Sequence, residues 1–219
     1  MLQDHWPLYA LTTRTTVAGG DAVVELRLPR EEEVAELADL AGRGVHRPGE
    51  RPFLTPWTEG SAGERADAVL RGHWERLASW TPQSWRLGMA VLLDGRPVGM
   101  VTLRADDFRV VRDVSTSSWL GLAHQGRGVG TAARASLLAV AFDHLGAESA
   151  LTEVFRDNHA SQGVSRRLGY EPDGISRDAR GDEVLVSDRL RLTRTRWSAR
   201  SRPVVEVTGM DGCRGMFGV

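Results

Sequence analysis

The 219-residue chain contains no lysine; all 28 of its basic residues are arginine. A phosphate-binding loop of the Gly-Lys-Ser/Thr kind is therefore excluded, as is an enzyme that forms a Schiff base through lysine. Catalysis must come from carboxylates, histidines, hydroxyls or the backbone. Cys213 is the only cysteine, which excludes an internal disulfide and a cysteine-based zinc site and fits a reducing compartment. Excess charge is also lacking. A net charge of -1 gives no electrostatic ground for general nucleic-acid binding. The longest apolar stretch, residues 137–142, is far too short to span a bilayer. Residues 1–18 lack the apolar core and basic leader of a signal peptide. The expected location is cytoplasmic, without membrane association. Six histidines occur, but no His-x-x-x-His pair or close His/carboxylate set accompanies them, so no metal is expected.

What is present reads as an ordinary globular protein, with 41% hydrophobic and 26% charged residues. Residues 22–28 alternate, Val24, Leu26 and Leu28 against Glu25 and Arg27, as a half-buried strand does. Pro29 and the acidic run Glu31, Glu32, Glu33 open a helix with an apolar stripe of Val34, Leu37 and Leu40. Residues 42–57 are rich in glycine and proline and read as a loop. Ser61 and Glu64 form a capping-box pattern ahead of a second helix. Two apolar runs, 87–93 and 97–103, flank Asp94-Gly95, a strong hairpin signal. A strand ending over 119–122, a glycine-rich turn and a helix follow. Then come a strand at 149–155, a helix at 158–168 and, after a polar loop, a strand at 184–192. Val204, Val205 and Val207 in the tail suggest an edge strand. The mixture predicts one α/β domain over residues 1–219, its core about 22–195, with 1–21 and 196–219 packing on it as extensions.

The central motif is Gln125-Gly126-Arg127-Gly128-Val129-Gly130, between a strand and a helix. Glycine lets the backbone turn sharply and approach a ligand closely. The first helical turn leaves N–H groups unpaired beside a dipole that favours anions, so a pyrophosphate is the natural guest. The alternative is a tight connection that holds nothing. A dinucleotide fingerprint fails, because its third glycine would fall at Thr131. Asn158-His159-Ala160-Ser161 and Arg167-Leu168-Gly169-Tyr170 supply a second half.

Together these segments resemble the GNAT superfamily of N-acetyltransferases, nearest the branch of ribosomal-protein and N-terminal acetyltransferases. The resemblance is specific over residues 119–170. It implies a mixed, mostly antiparallel central sheet flanked by helices and an acyl-CoA donor, acetyl-CoA above all. It implies that the pyrophosphate meets the amides of Gln125, Gly126, Arg127, Gly128, Val129, Gly130 and Thr131. The amides of Leu120, Gly121 and Leu122 would polarise the thioester. Asn158 would bond pantetheine, although an asparagine there also suits a helix N-cap. Ser161 sits where this branch carries a serine proposed to protonate the leaving thiolate, and a helix-surface serine is the rival reading. Ser165 stands where many members carry a tyrosine acid.

Trp57 follows a loop that the resemblance places near the acceptor groove. No general base is legible: Asp106, Asp107, Asp178, Asp182 and Glu183 are each better read as solvated loop charges. His5-Trp6-Pro7-Leu8, Pro56-Trp57 and Cys213 with Phe217-Gly218 resemble an actinobacterial subgroup that includes a proposed succinyltransferase, which keeps succinyl-CoA as an alternative donor. The expected acceptor is a primary amine, on a protein N-terminus or a small molecule, attacked without a covalent enzyme intermediate. The apolar tail and family habit point to a homodimer. A non-catalytic acyl-CoA-binding module is the rival from another class.

Overall fold

The computed structural model describes residues 2–219. From the N-terminus come a short helix α1 (Leu2–His5), strands β1 (Thr12–Thr16) and β2 (Val23–Arg27), and helices α2 (Glu31–Arg43) and α3 (Ala62–Ala78). The hairpin of β3 (Ser84–Leu93) and β4 (Arg96–Asp106) follows, then a single turn α4 (Phe108–Val111), β5 (Asp113–Leu120) and α5 (Val129–Ala139). The chain closes with β6 (Ser149–Phe155), α6 (His159–Leu168), and the hairpin of β7 (Glu171–Arg180) and β8 (Glu183–Thr193). Beyond it lie α7 (Arg194–Ala199), β9 (Glu206–Thr208) and α8 (Met210–Cys213).

Among the described residues one nine-stranded sheet forms in the order β7-β8-β6-β5-β4-β3-β2-β1-β9. Every neighbouring pair is antiparallel except β5 and β6. The result is a single α/β domain with a mixed, mostly antiparallel sheet flanked by helices, as the sequence implied. One face is covered by α2 and α3, whose Leu37, Leu40 and Val69 pack on Ala90, Leu92 and Met100. The other face carries α5, with Ala133, Leu137 and Leu138 packed in one cluster with Leu26, Met89 and Val101. Each such buried Leu, Val or Met contributes roughly 1.5–3 kcal/mol.

Local signals explain most elements. Ser61 and Glu64 exchange backbone and side-chain bonds at the start of α3. Asp94 and Gly95 both adopt positive φ, 49° and 81°, the two-residue turn whose twist matches the strands it joins. The helix after the glycine turn runs on past Ala139 as a π-helical stretch, Val140–Leu145. Trp80 and Trp85 stack at 6.0 Å, and Phe217 meets both edge-on at 5.4 and 4.9 Å, which anchors the tail to the core.

Three readings from sequence need correction. The stretch 171–182 is not a polar loop; it forms strand β7 and its turn. β7 is an edge strand with one neighbour and mostly exposed residues, so no apolar alternation marks it. Strand β1 was missed because its inward residues, Thr13 and Thr15, are polar although buried. β5 stops at Leu120, and Leu122–His124 is already a 3-10 turn. The tail does add an edge strand, β9, which holds Val207 but neither Val204 nor Val205. β9 pairs with β1, so both terminal segments belong to the sheet.

Candidate active site

The site begins at a flaw in the sheet. β5 and β6 pair in parallel only from Asp113–Ser149 to Ser115–Leu151. Beyond that, β5 stays on β4 as far as Gly99–Leu120, and β6 stays on β8 as far as Phe155–Ser187. The two strands therefore part, leaving a wedge-shaped opening between residues 116–120 and 152–155. Gly99 makes the β4 side possible: a Cβ there would lie 2.2 Å from the Trp119 carbonyl oxygen. A cleft of about 1020 Å³ runs from this opening across the glycine turn.

The glycine turn follows directly. Gly126 and Gly128 take positive φ, 73° and 81°, which other residues adopt only at a cost. Gly128 is the N-cap of α5, and the first helical amide to find an acceptor is Thr131, on the Gly128 carbonyl at 3.0 Å. Among the described residues the N–H groups from Gly126 to Gly130 have no backbone acceptor. A Cβ at Gly126 would meet nothing within 4 Å, so the space above the turn is open. Five free amides and a helix dipole suit a diphosphate well. Seven arginines line the cleft against three carboxylates, so the long-range field has the right sign.

Several expected ligands turn out to have structural duties. Gln125 donates to the carbonyls of Val45 (2.7 Å) and Leu120 (2.9 Å), tying the end of β5 to the loop after α2. Gly121 donates to the Val98 carbonyl and Leu122 to that of Gly44. Because successive strand amides point to opposite sides, the Leu120 N–H then faces the opening. Of the three amides expected to meet a thioester, Leu120 is the one left available. Asn158 does act as an N-cap: its Oδ1 accepts from the Ser161 amide at 3.0 Å, which leaves its NH2 to donate. Val129 is buried beneath the turn, while Arg127 and Thr131 border the cleft.

Ser161 lines the cleft from the first turn of α6, and its hydroxyl has no hydrogen-bond partner among the described residues. Ser165, one turn on, is fully buried; it donates to the Ser161 carbonyl and accepts from Arg134. Trp57 does not border the cleft. It packs 5.3 Å from Phe53 and 5.7 Å from Trp119, both of which do. None of the five carboxylates weighed from sequence reaches the cleft. Glu183 pairs with Arg51, and Asp106 binds Ser84. The carboxylates that do reach it are Glu50, Glu153 and Asp157, which no local motif distinguished. Arg189, Arg191, Arg194 and Arg196 are paired with Asp173, Asp113, Glu148 and Glu171. Among the described residues no cluster of His, Cys, Asp or Glu is arranged to hold a metal ion. No helix among them is long and apolar enough to cross a membrane.

Comparison with known proteins agrees with the fold. Residues 24–171 match the family model described as "Acetyltransferase (GNAT) domain". Among solved structures, RimJ of Mycobacterium smegmatis in complex with CoA-disulfide superposes with a TM-score of 0.68 at 17% identity, covering 95% of each chain. RimL, the ribosomal L7/L12 alpha-N-protein acetyltransferase in complex with coenzyme A, gives 0.63 at 16% identity over 82% of this chain and 97% of its own. The microcin C7 self-immunity acetyltransferase MccE, in complex with acetyl-CoA and AMP, gives 0.59 at 15% identity over 78% and 92%. Sheet order, splayed strands and glycine turn, with a family match over most of the chain, place this protein in the GNAT acetyltransferase family of enzymes.

Proposed function

We propose that the protein transfers a short acyl group, acetyl first and succinyl as the alternative, from acyl-CoA to a primary amine. The observation that carries this reading is the continuity of the cleft. Free amides at residues 126–130 lie at one end, and the opening between β5 and β6 lies at the other. An elongated ligand with a diphosphate at one end and a reactive thioester at the other suits both.

In this reading the amides of residues 126–130 hold the diphosphate, and the NH2 of Asn158 bonds the pantetheine arm. The Leu120 N–H points where charge develops on the carbonyl oxygen, which is stabilisation of the kind that lowers a barrier most. An α-amine, with a reference pKa of about 7.7–8.0, loses its proton to solvent water near neutrality more readily than a lysine side chain does. Ser161, with an uncommitted hydroxyl, is the group that passes a proton to the departing sulfur. Phe53 and Trp119 border the acceptor end, backed by Trp57. The bridges Arg51–Glu59, Arg51–Glu183 and Arg180–Glu59 tie the loop before α3 to the β7–β8 hairpin, which fixes one edge of that groove.

The test is calorimetric titration with coenzyme A, followed by thiol release from acetyl-CoA and succinyl-CoA against peptides, polyamines and aminoglycosides. Micromolar binding with turnover on one acceptor class is the expected result. Binding without turnover on any amine assigns the protein to the non-catalytic class, and no binding refutes the reading.

A further inference from the structure

Arg134 projects from α5 into the wall of the cleft, and only 4% of its surface is exposed. Its Nη1 donates to Ser165 Oγ at 3.1 Å and its Nη2 to Ser118 Oγ at 3.2 Å, while Nε has no partner. No carboxylate is among its partners. Burial pushes its pKa down and nearby Tyr170 pulls it back up; a guanidinium stays charged regardless. A buried cation with only neutral acceptors is costly, and an apolar side chain of similar length would fill the same volume more favourably. Among the described residues no carboxylate pairs with this charge to offset that cost.

The position of the charge is specific. Ser118 lies on β5 two residues before Leu120, and Ser165 lies on α6 one turn beyond Ser161. The two hydroxyls hold the guanidinium between β5 and α6, in the wall of a cleft that Ser118, Leu120 and Ser161 also line.

We propose that Arg134 is a catalytic residue whose positive charge stabilises the CoA sulfur as it leaves, with Ser118 and Ser165 as its positioning residues. The inference rests on the proposed acyl transfer. In that step the amine nitrogen bonds to the thioester carbonyl carbon, the carbon–sulfur bond breaks, and its electron pair stays on sulfur. The proton lost by the amine balances the thiolate, through Ser161 or solvent, and nothing is oxidised or reduced. Of the other titratable groups, Tyr170 interacts electrostatically with the guanidinium, while Glu153, Asp157, His159 and Arg167 line the same cleft. None of these forms a hydrogen bond or ion pair with it. Its charge is therefore not neutralised before a ligand enters.

The experiment titrates the thiol of coenzyme A in its complex with the 219-residue protein, following thiolate absorbance as pH rises. Cys213, the protein's only thiol, is buried and its pKa is pushed up to about 11, so protein without CoA serves as a clean blank. The bound thiol is expected to titrate at least one unit below free CoA, a tenfold gain in thiolate at a given pH. Arg134→Met is expected to abolish the displacement while leaving thermal stability equal or higher. Arg134→Gln, which keeps a hydrogen-bond donor without the charge, is expected to do the same. A wild-type complex whose thiol titrates like free CoA, or either folded variant that keeps the displacement, overturns the role of Arg134 and leaves acyl transfer standing. Failure of the wild-type protein to bind CoA instead sinks the proposed function, and this inference with it.

Discussion

Two seams of the same sheet behave in opposite ways. β3 and β4 are joined by a two-residue turn and stay paired from Ser84–Asp106 to Leu93–Arg96. β5 and β6 are joined through the whole of α5, pair over three residues and then separate. The hairpin strands are neighbours in sequence, so their register is set by the turn, and pairing them closes only a short loop. The parallel seam has no turn to enforce register, and its upper half is held apart by what each strand does with its other neighbour. This sheet keeps one pair of strands open where they run parallel and no turn ties them together. The closed seam supplies stability, and the open one supplies the site.

The largest expected effect lies between the two seams, where β4 meets β5. Gly99→Val would drive a side chain into the Trp119 carbonyl and the Leu120 backbone, where neither can yield. A loss of about 3 kcal/mol or more is expected, seen as failure to express in soluble form or as a fall in Tm of roughly 6 °C or more. Next comes the helix roofing the closed seam. His73 on α3 is buried, and desolvation and the charge of Arg76 lower its pKa to about 4. The unfolded chain, with a histidine near 6.5, then binds more protons than the folded one between those values. Stability is thus full above about pH 6.5 and declines as pH falls toward 4, by roughly 2–3 kcal/mol. Chemical denaturation across that range should show the decline in wild type and a flatter profile in His73→Gln.

On the open side, Gly130→Val tests the cradle with little cost to the fold. Its Cβ would meet only Leu120 Cδ1, at an ordinary 3.6 Å, and its φ is not in the left-handed region. CoA affinity should fall about 30-fold, near 2 kcal/mol, with Tm within a few degrees of wild type; unchanged affinity would refute the amide cradle. Ser161→Ala should lower kcat about tenfold with KM unchanged, the pattern of an interaction made in the transition state. The smallest effect returns to the hairpin. Gly95→Ala places a Cβ at φ 81° and should cost about 1 kcal/mol while leaving CoA binding untouched. If Gly95→Ala weakens CoA binding as Gly130→Val does, the two seams are not independent.

The elements most legible in sequence were those with a local cause. The capping box at Ser61 and Glu64, the Asp94-Gly95 turn and the glycine run of residues 126–130 each act within a few residues of chain. β1 and β7 escaped because their inward or exposed faces are polar, and pairing alone makes them strands. Gln125 and Gly121 looked like ligand contacts from their motif. Their partners, Val45 and Val98, lie 80 and 23 residues away, so their duties were invisible.

The same divide runs through the site. Residue order alone determined that lysine chemistry is absent, that a helix follows glycines able to take positive φ, and that Asn158 suits the N-cap of the next helix. Tertiary structure alone decided that β5 and β6 part, that Leu120 keeps a free amide while Leu122 does not, and that Arg134 is buried between Ser118 and Ser165 without a counter-ion. The physical reason is range. Backbone conformation and capping are set by neighbours along the chain, whereas burial, pairing and electrostatic compensation depend on segments that only folding brings together.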